Sequence, residues 1–355
     1  MRLRSRLLRN HGLSLRETFR VRPLVTAQLG VYLAAIYFAF LTDALGVEKV
    51  VVYSSMKSAL AQAVAEQFEK ETGTEVRLVP DKRQATSKEL LDRLIAEKEH
   101  AQADVLWSCD PGGAVILKSE GLSAPYESLN AKTLPGLYSD PEHHWTGFPA
   151  RARVIIYNKN LIPDPEEVPT SVLDLMNPRL RGKACIANPL FGTTSFHAAA
   201  LFLVLGNGFA EAFFNSLNTN GVKMVSTNSE VRRRVAVGDF AFGIADTEDF
   251  NVASKLREPV GVVFPDQQAF GTLVIPAALV LIQRGPNPEQ GKRFIDFLLL
   301  PEIRKLLVAS EPVPLSGAIP TLDRIKPMEV DFGKLVSKSK ELSSGFLRQW
   351  VCKQK

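Results

Sequence analysis

Residues 49–108 alternate strand, helix, strand, helix and strand, and that alternation restricts the fold more than any other property of the chain. KVVVYSS (49–55) is a β-branched run that stops at two serines. Leu60, Val64 and Phe68 then recur every fourth residue with Ala61 and Ala65 beside them, the spacing of an amphipathic helix, and Gly73 closes it. EVRLVP (75–80) predicts a second strand. SKELLDRLIAEKEH (87–100) predicts a second helix with Leu90, Leu91, Leu94 and Ile95 on one face, and ADVLWS (103–108) a third strand. Strands that alternate with helices pair in parallel and take helices on their faces. Ligands of such sheets bind beyond the carboxyl ends of the strands. Here those ends are Tyr53-Ser54-Ser55 and Trp107-Ser108-Cys109-Asp110.

The alternation restarts after RARVIIYNKN (151–160) and a Pro-rich connection. Strands are expected at KACIANP (183–189), VKMVS (222–226) and FAFGIAD (240–246), and helices at 195–206, 209–221 and 229–239. TLVIPAALVLIQ (272–283) is a long apolar run that would rejoin the first sheet, and residues 287–310 supply two more helices. A chain of 355 residues exceeds one ordinary core. The expected fold class is therefore α/β, with two αβ lobes joined by a two-strand hinge at about 149–157 and 262–275 and a ligand cleft between them. The first lobe would hold residues 47–150 and the return segment 272–355, and the second residues 151–271.

Residues 1–46 form a separate segment. Seven Arg face only Glu17 and Asp43 there, which accounts for the whole formal net charge of +5, so the other 309 residues balance. A nucleic-acid footprint would put the excess on the folded body; none is expected. LVTAQLGVYLAAIYFAFL (24–41) follows the arginines without a formal charge. A positive stretch before an apolar one is the layout of an export signal, and Ala44-Leu45-Gly46 supplies small residues for cleavage. The run is also long enough to span a bilayer, so a signal peptide and an N-terminal membrane anchor both fit, with a buried core helix as the third reading. Either of the first two places the body in the periplasm or elsewhere outside the cytoplasm. Cys109, Cys185 and Cys352 show no metal or redox spacing.

Three constellations could carry chemistry. Ser54-Ser55 ends a strand before a helix, where hydroxyls and N–H groups suit an anion or a plain cap. Gly192 followed by Thr193, Thr194 and Ser195 puts three hydroxyls at another helix start, with the same two readings. FAFGIADTEDF (240–250) ends a buried-looking strand in Asp246, Thr247, Glu248 and Asp249. Its carboxylates suit a hard metal ion, an ammonium or guanidinium group, or a solvated turn. Arg151 and Arg153 alternate along one strand and share a face, within reach of an anion or of a rim ion pair. Trp107 lines the cleft or packs in the core. His143-His144 reads as a loop, His197 as a packed side chain and Arg232-Arg233-Arg234 as a solvated helix face. No nucleophile elbow, zinc-protease motif or phosphate loop is present.

The segments VVVYSSMKSALAQAVAEQFEKETGTEVRLV, ADVLWS, GFPARARVIIYN, IANPLFGTT and VAVGDFAFGIADTEDFNVA together resemble periplasmic solute-binding proteins of ABC importers. The resemblance covers about residues 48–320 and points to the ferric-ion-binding group within the type 2 periplasmic binding fold. It implies a permease and an ATPase as partners. The group's iron ligands are a His in the first strand–helix loop, a Glu after the third strand and an adjacent Tyr pair after the late strand. Those positions fall on Lys57, Cys109 and Glu248-Asp249, so no iron-binding phenolate survives. The group's anion-holding positions fall near Thr193, Thr194, Ser195 and Asn228, with Asp246 and Asp110 at further cleft positions. The implied cargo is an amino-containing small anion, or Fe3+ or another hard cation with a bridging anion, held in part by Glu248 and Asp249. A membrane-tethered sensor and an enzyme on the same bilobed scaffold are the competing readings; no residue set suits catalysis.

Overall fold

A computed structural model describes residues 47–81, 88–309 and 324–354. The first αβ stretch contains β1 (Lys49–Ser54), α1 (Ser58–Thr72), β2 (Glu75–Pro80), α2 (Lys88–Ala96), β3 (Val105–Ser108), α3 (Gly112–Ser119) and β4 (Ser123–Ala124). The second contains β5 (Ala150–Asn158), β6 (Ala184–Ala187), α4 (Gly192–Leu205), α5 (Asn207–Thr219), β7 (Lys223–Val225), α6 (Asn228–Ala236), β8 (Phe242–Asp246), α7 (Thr247–Lys255) and β9 (Val260–Val263). Then follow β10 (Val274–Pro276), β11 (Ala278–Ile282), α8 (Pro288–Leu298), α9 (Pro301–Ala309), α10 (Phe332–Ser344) and α11 (Phe346–Cys352). Glu48–Lys355 form one compact unit.

Two sheets organise these elements. The first runs β2-β1-β3-β11-β4, with β1 parallel to β2 and β3 and with β11 antiparallel to β3 and β4. Successive side chains of a strand face opposite sides. Val50 and Val52 accordingly pack with Phe68 of α1 and Phe294 of α8, while Val51 and Tyr53 pack with Leu90 and Leu94 of α2. Trp107 is fully buried and meets Phe294 edge-on at 6.4 Å, which decides it as a core residue. The second sheet runs β10-β5-β8-β6-β7, with β9 also on β5. The expected α/β bilobed architecture is the one observed.

The hinge differs in detail from the expected long strand at 272–283. That run breaks at Ala277: Val274–Pro276 pair with the start of β5, and Ala278–Ile282 join the first sheet. The Ala277 N–H donates to the Pro149 carbonyl at 2.7 Å, so the two crossings lie side by side. Gly147 sits against them, where a Cβ would come within 2.5 Å of the Pro276 Cβ and 2.6 Å of the Ala277 carbonyl. Only glycine allows that approach.

The last two helices do not simply return to the first lobe. Helix α10 lies along α4 and also touches α3, and α11 lies on α5. Their apolar faces explain the placement. Phe332 meets Trp145 edge-on at 5.9 Å, Phe346 packs on Phe202, and the Trp350 indole N–H donates to the Phe214 carbonyl at 2.6 Å. The expected signal or anchor at 24–41 lies outside the described residues, and no described helix is long and apolar enough to cross a membrane.

Candidate functional site

Strands β1, β3, β6 and β8 all end at one cleft of about 450 Å³. From the first lobe it is lined by Ser55, Met56, Lys57, Leu60 and Cys109. From the second come Asn188, Phe191, Gly192, Thr193, Thr194, Asn228, Ser229, Asp246, Glu248 and Asp249, and Arg151 enters from the crossing strand β5. Most of the expected positions therefore meet. Ser54, Asp110, Arg153, Ser195 and Thr247 are outside this lining, and each has other work. Ser54 is buried and its hydroxyl accepts the Met56 N–H. Asp110 accepts the Gly112 N–H at 2.8 Å at the start of α3. The Ser195 hydroxyl donates to the Gly192 carbonyl, and Thr247 accepts the Ala152 N–H.

The acids after β8 do three different jobs. Asp246 belongs to a closed buried network. Arg153, fully buried, donates from Nη1 to Asp246 Oδ1 at 2.7 Å and to Thr193 Oγ1 at 3.0 Å, and from Nη2 to Thr194 Oγ1 at 3.3 Å. Thr193 gives its own proton to Asp246 Oδ2 at 2.7 Å, and Asn228 Nδ2 donates to both Thr193 and Asp246. Thr194 gives its proton to Asn228 Oδ1. The hydroxyls expected to hold an anion are thus spent inward, and what α4 offers the cleft is its first-turn backbone N–H groups. Behind them, burial and the adjacent Arg153 push His197 well below its usual pKa, and its neutral ring accepts from Arg153 Nε at 3.5 Å.

Asp249 closes the start of α7. It accepts the Asp246 N–H at 3.2 Å, as a capping box requires, and the Ser229 hydroxyl at 3.1 Å. Burial, then the neighbouring Asp246, raise its pKa from 3.8 to about 6. The folded state therefore holds this proton more tightly than the unfolded chain. The favourable contribution is full below about pH 4 and is lost as pH rises through 6, by on the order of 2–3 kcal/mol. Asp249→Asn keeps an acceptor for the cap and abolishes the titration. Thermal unfolding should show it gaining a few degrees over wild type at pH 7.5 and none at pH 4; an equal offset at both pH values contradicts the assignment.

Glu248 is the acid that faces the opening. Lys57 Nζ lies 3.6 Å from one carboxylate oxygen and Arg151 Nη1 3.5 Å from the other. Arg151 also donates to the Cys109 carbonyl at 2.6 Å, so it touches both walls. These contacts are longer than a tight charge-assisted hydrogen bond, about 2.7–2.9 Å, which leaves the three groups able to exchange partners. Two of the helices that open on the cleft, α1 at Lys57 and α4 at Phe191, lack a side-chain cap, whereas α6 is capped by Thr227 and α7 by its capping box. Uncapped helix starts attract anions.

Sequence pattern alone does not separate anion contact from rim ion pair for Arg151, and it does not mark Phe191, Met56 or Ser229. The alternation that puts Arg151 and Arg153 on one face was visible; the depth that separates their roles was not. No tyrosine lines the cleft, and no group of three or more His, Cys, Asp and Glu among the described residues is arranged to hold a metal ion. Cys109, Cys185 and Cys352 are all free thiols. The other weak candidates are structural: Ser123 and its carbonyl hold His144, and Arg232, Arg233 and Arg234 pair with Glu258, Glu230 and Asp239.

Residues 49–310 match the family described as bacterial extracellular solute-binding protein. "Iron uptake protein A1" of Synechocystis is 27% identical over 305 residues, covering 81% of this chain and 83% of that one. A putative 2-aminoethylphosphonate-binding periplasmic protein of Salmonella typhimurium is 27% identical over 246 residues, 66% of this chain and 67% of that one. Among solved structures, a Trichodesmium protein in complex with iron and citrate superposes with a TM-score of 0.71 at 25% identity, covering 86% of this chain and 99% of that one.

Proposed function

We infer, for a chain that belongs to the bacterial extracellular solute-binding protein family, that its cleft captures a small organic anion carrying an amino group. The observation that carries this is Glu248 held between Lys57 and Arg151. Asp246 is already matched by Arg153. The remaining cleft charges are two cations, Lys57 and Arg151, and two acids, Glu248 and Asp249. A balanced site with uncapped helix starts favours a guest of both signs. Its anionic head exchanges with Glu248 for the two cations and meets the N–H groups of α4, and its ammonium takes the released Glu248 carboxylate. The 2-aminoethylphosphonate named for the Salmonella relative has this chemistry.

A second reading is a ferric ion delivered with its own chelating anion, and the Trichodesmium complex with iron and citrate favours it. Here the hard cation would need oxygen donors from Glu248 and Asp249, yet Asp249 is committed to its cap and Glu248 faces two cations. The family is one of binding proteins rather than of enzymes. As in the periplasmic relatives, the protein works outside the cytoplasm, with a membrane permease and an ATPase as partners, and the segment at 24–41 directs it there. The test is calorimetric titration with aminomethylphosphonate and with methylphosphonate, which lacks the amine. Wild type should prefer the amine-bearing probe about tenfold or more, the worth of one charge-assisted contact. Glu248→Gln should bring the two within about threefold; an unchanged preference would overturn the assignment of Glu248.

A further inference from the structure

We propose that the mouth of the cleft holds an apolar subsite in which Phe191 is the specificity-determining residue, so that the solute carries a hydrocarbon or aromatic arm beside its charged head; this rests on the amino-anion reading above. Phe191 is 62% exposed, more than any other phenylalanine among the described residues, with Phe209 next at 48%. The same stretch buries Phe196 and Phe202, so exposure of Phe191 is not a property of the region. It lines the cleft opposite the half-buried Leu60 of the other wall, beneath which Met56 joins the first lobe's core.

Two local features point the same way. Phe191 occupies the N-cap position of α4, with φ −137° and ψ 152°, and contributes no capping bond. Ser, Thr, Asp and Asn are the residues that stabilise that position, so helix capping does not explain a phenylalanine there. Gly192 follows in the left-handed region at φ +57°, and a Cβ on it would meet nothing within 4 Å. The glycine thus serves the turn that carries the chain past Phe191, not a close contact. The volume agrees as well. About 450 Å³ lies within the range of about 300–1,000 Å³ typical of sites for organic ligands. An exposed aromatic at such a mouth gains by covering an apolar part of the guest.

Aminomethylphosphonate and 1-amino-2-phenylethylphosphonate share one head and differ by a benzyl group, so their ratio of Kd values reads the subsite alone. Titrations of the wild-type protein, Phe191→Ala and Phe191→Leu are compared, with thermal unfolding to verify folding. Wild type should bind the benzyl compound at least tenfold more tightly, about 1.4 kcal/mol. Phe191→Ala should bring the ratio within about threefold, and Phe191→Leu should keep part of the preference. A wild-type ratio near one, or a tenfold ratio that survives Phe191→Ala, overturns the subsite and leaves the amino-anion reading standing. Binding of neither probe overturns that reading and this one with it.

Discussion

Arg153→Met should lower the stability of the protein by about 3–5 kcal/mol, the cost of leaving one member of a buried ion pair uncompensated. Arg153 has no exposed surface, and the Asp246 side chain is 7% exposed, so solvent cannot replace the lost partner. Asp246 would keep the Thr193 hydroxyl and the Asn228 amide but lose the only cation bonded to it among the described residues. Thr193, Thr194 and His197 each lose an Arg153 donor as well. For a domain of this size the expected fall in Tm is about 6–15 °C. Adding Asp246→Asn removes the stranded charge and should recover a substantial part of the loss, a coupling that a double-mutant cycle measures. A single variant within 1 kcal/mol of wild type would mean the network does not hold the second lobe together.

Arg151→Met should leave folding nearly intact and weaken aminomethylphosphonate binding by about 10–100-fold, the range for a hydrogen bond to a charged group. The contrast with Arg153 is one of depth. The Arg151 side chain is 17% exposed, and its partners are the Cys109 carbonyl and a loosely held Glu248. Its removal opens the position to water and the anionic head loses a forked donor. Arg151→Lys should fall between the two, because an ammonium keeps the charge and loses the fork. Equal Kd values for wild type and Arg151→Met, measured by calorimetry, would remove Arg151 from the site.

Much of this arrangement was legible in the residue order. Strand ends could be read because apolar runs stop at Ser54-Ser55, at Ser108-Cys109 and at Asp246, and a parallel sheet brings its carboxyl ends to one side. The break at Ala277 was not legible, since an unbroken apolar run satisfies either sheet. Nor could the pattern divide the acids. Asp246, Glu248 and Asp249 are one cluster in sequence, but the burial of Arg153 claims the first and the helix start claims the third. Thr193 and Thr194 read as ligand hydroxyls because a helix start suits anions; the inward network that uses their protons depends on Asn228 and Arg153, far away in the chain. Phe191 carried no signal, because an aromatic residue beside a glycine is as common in a core as at a cleft mouth.

The most direct measurement is a crystal structure of the protein grown with aminomethylphosphonate. Phosphonate oxygens are expected within hydrogen-bond distance of Arg151 and the first turn of α4, with the ammonium on Glu248. A cation seated on Glu248 and Asp249 with no organic anion beside it would contradict this binding mode.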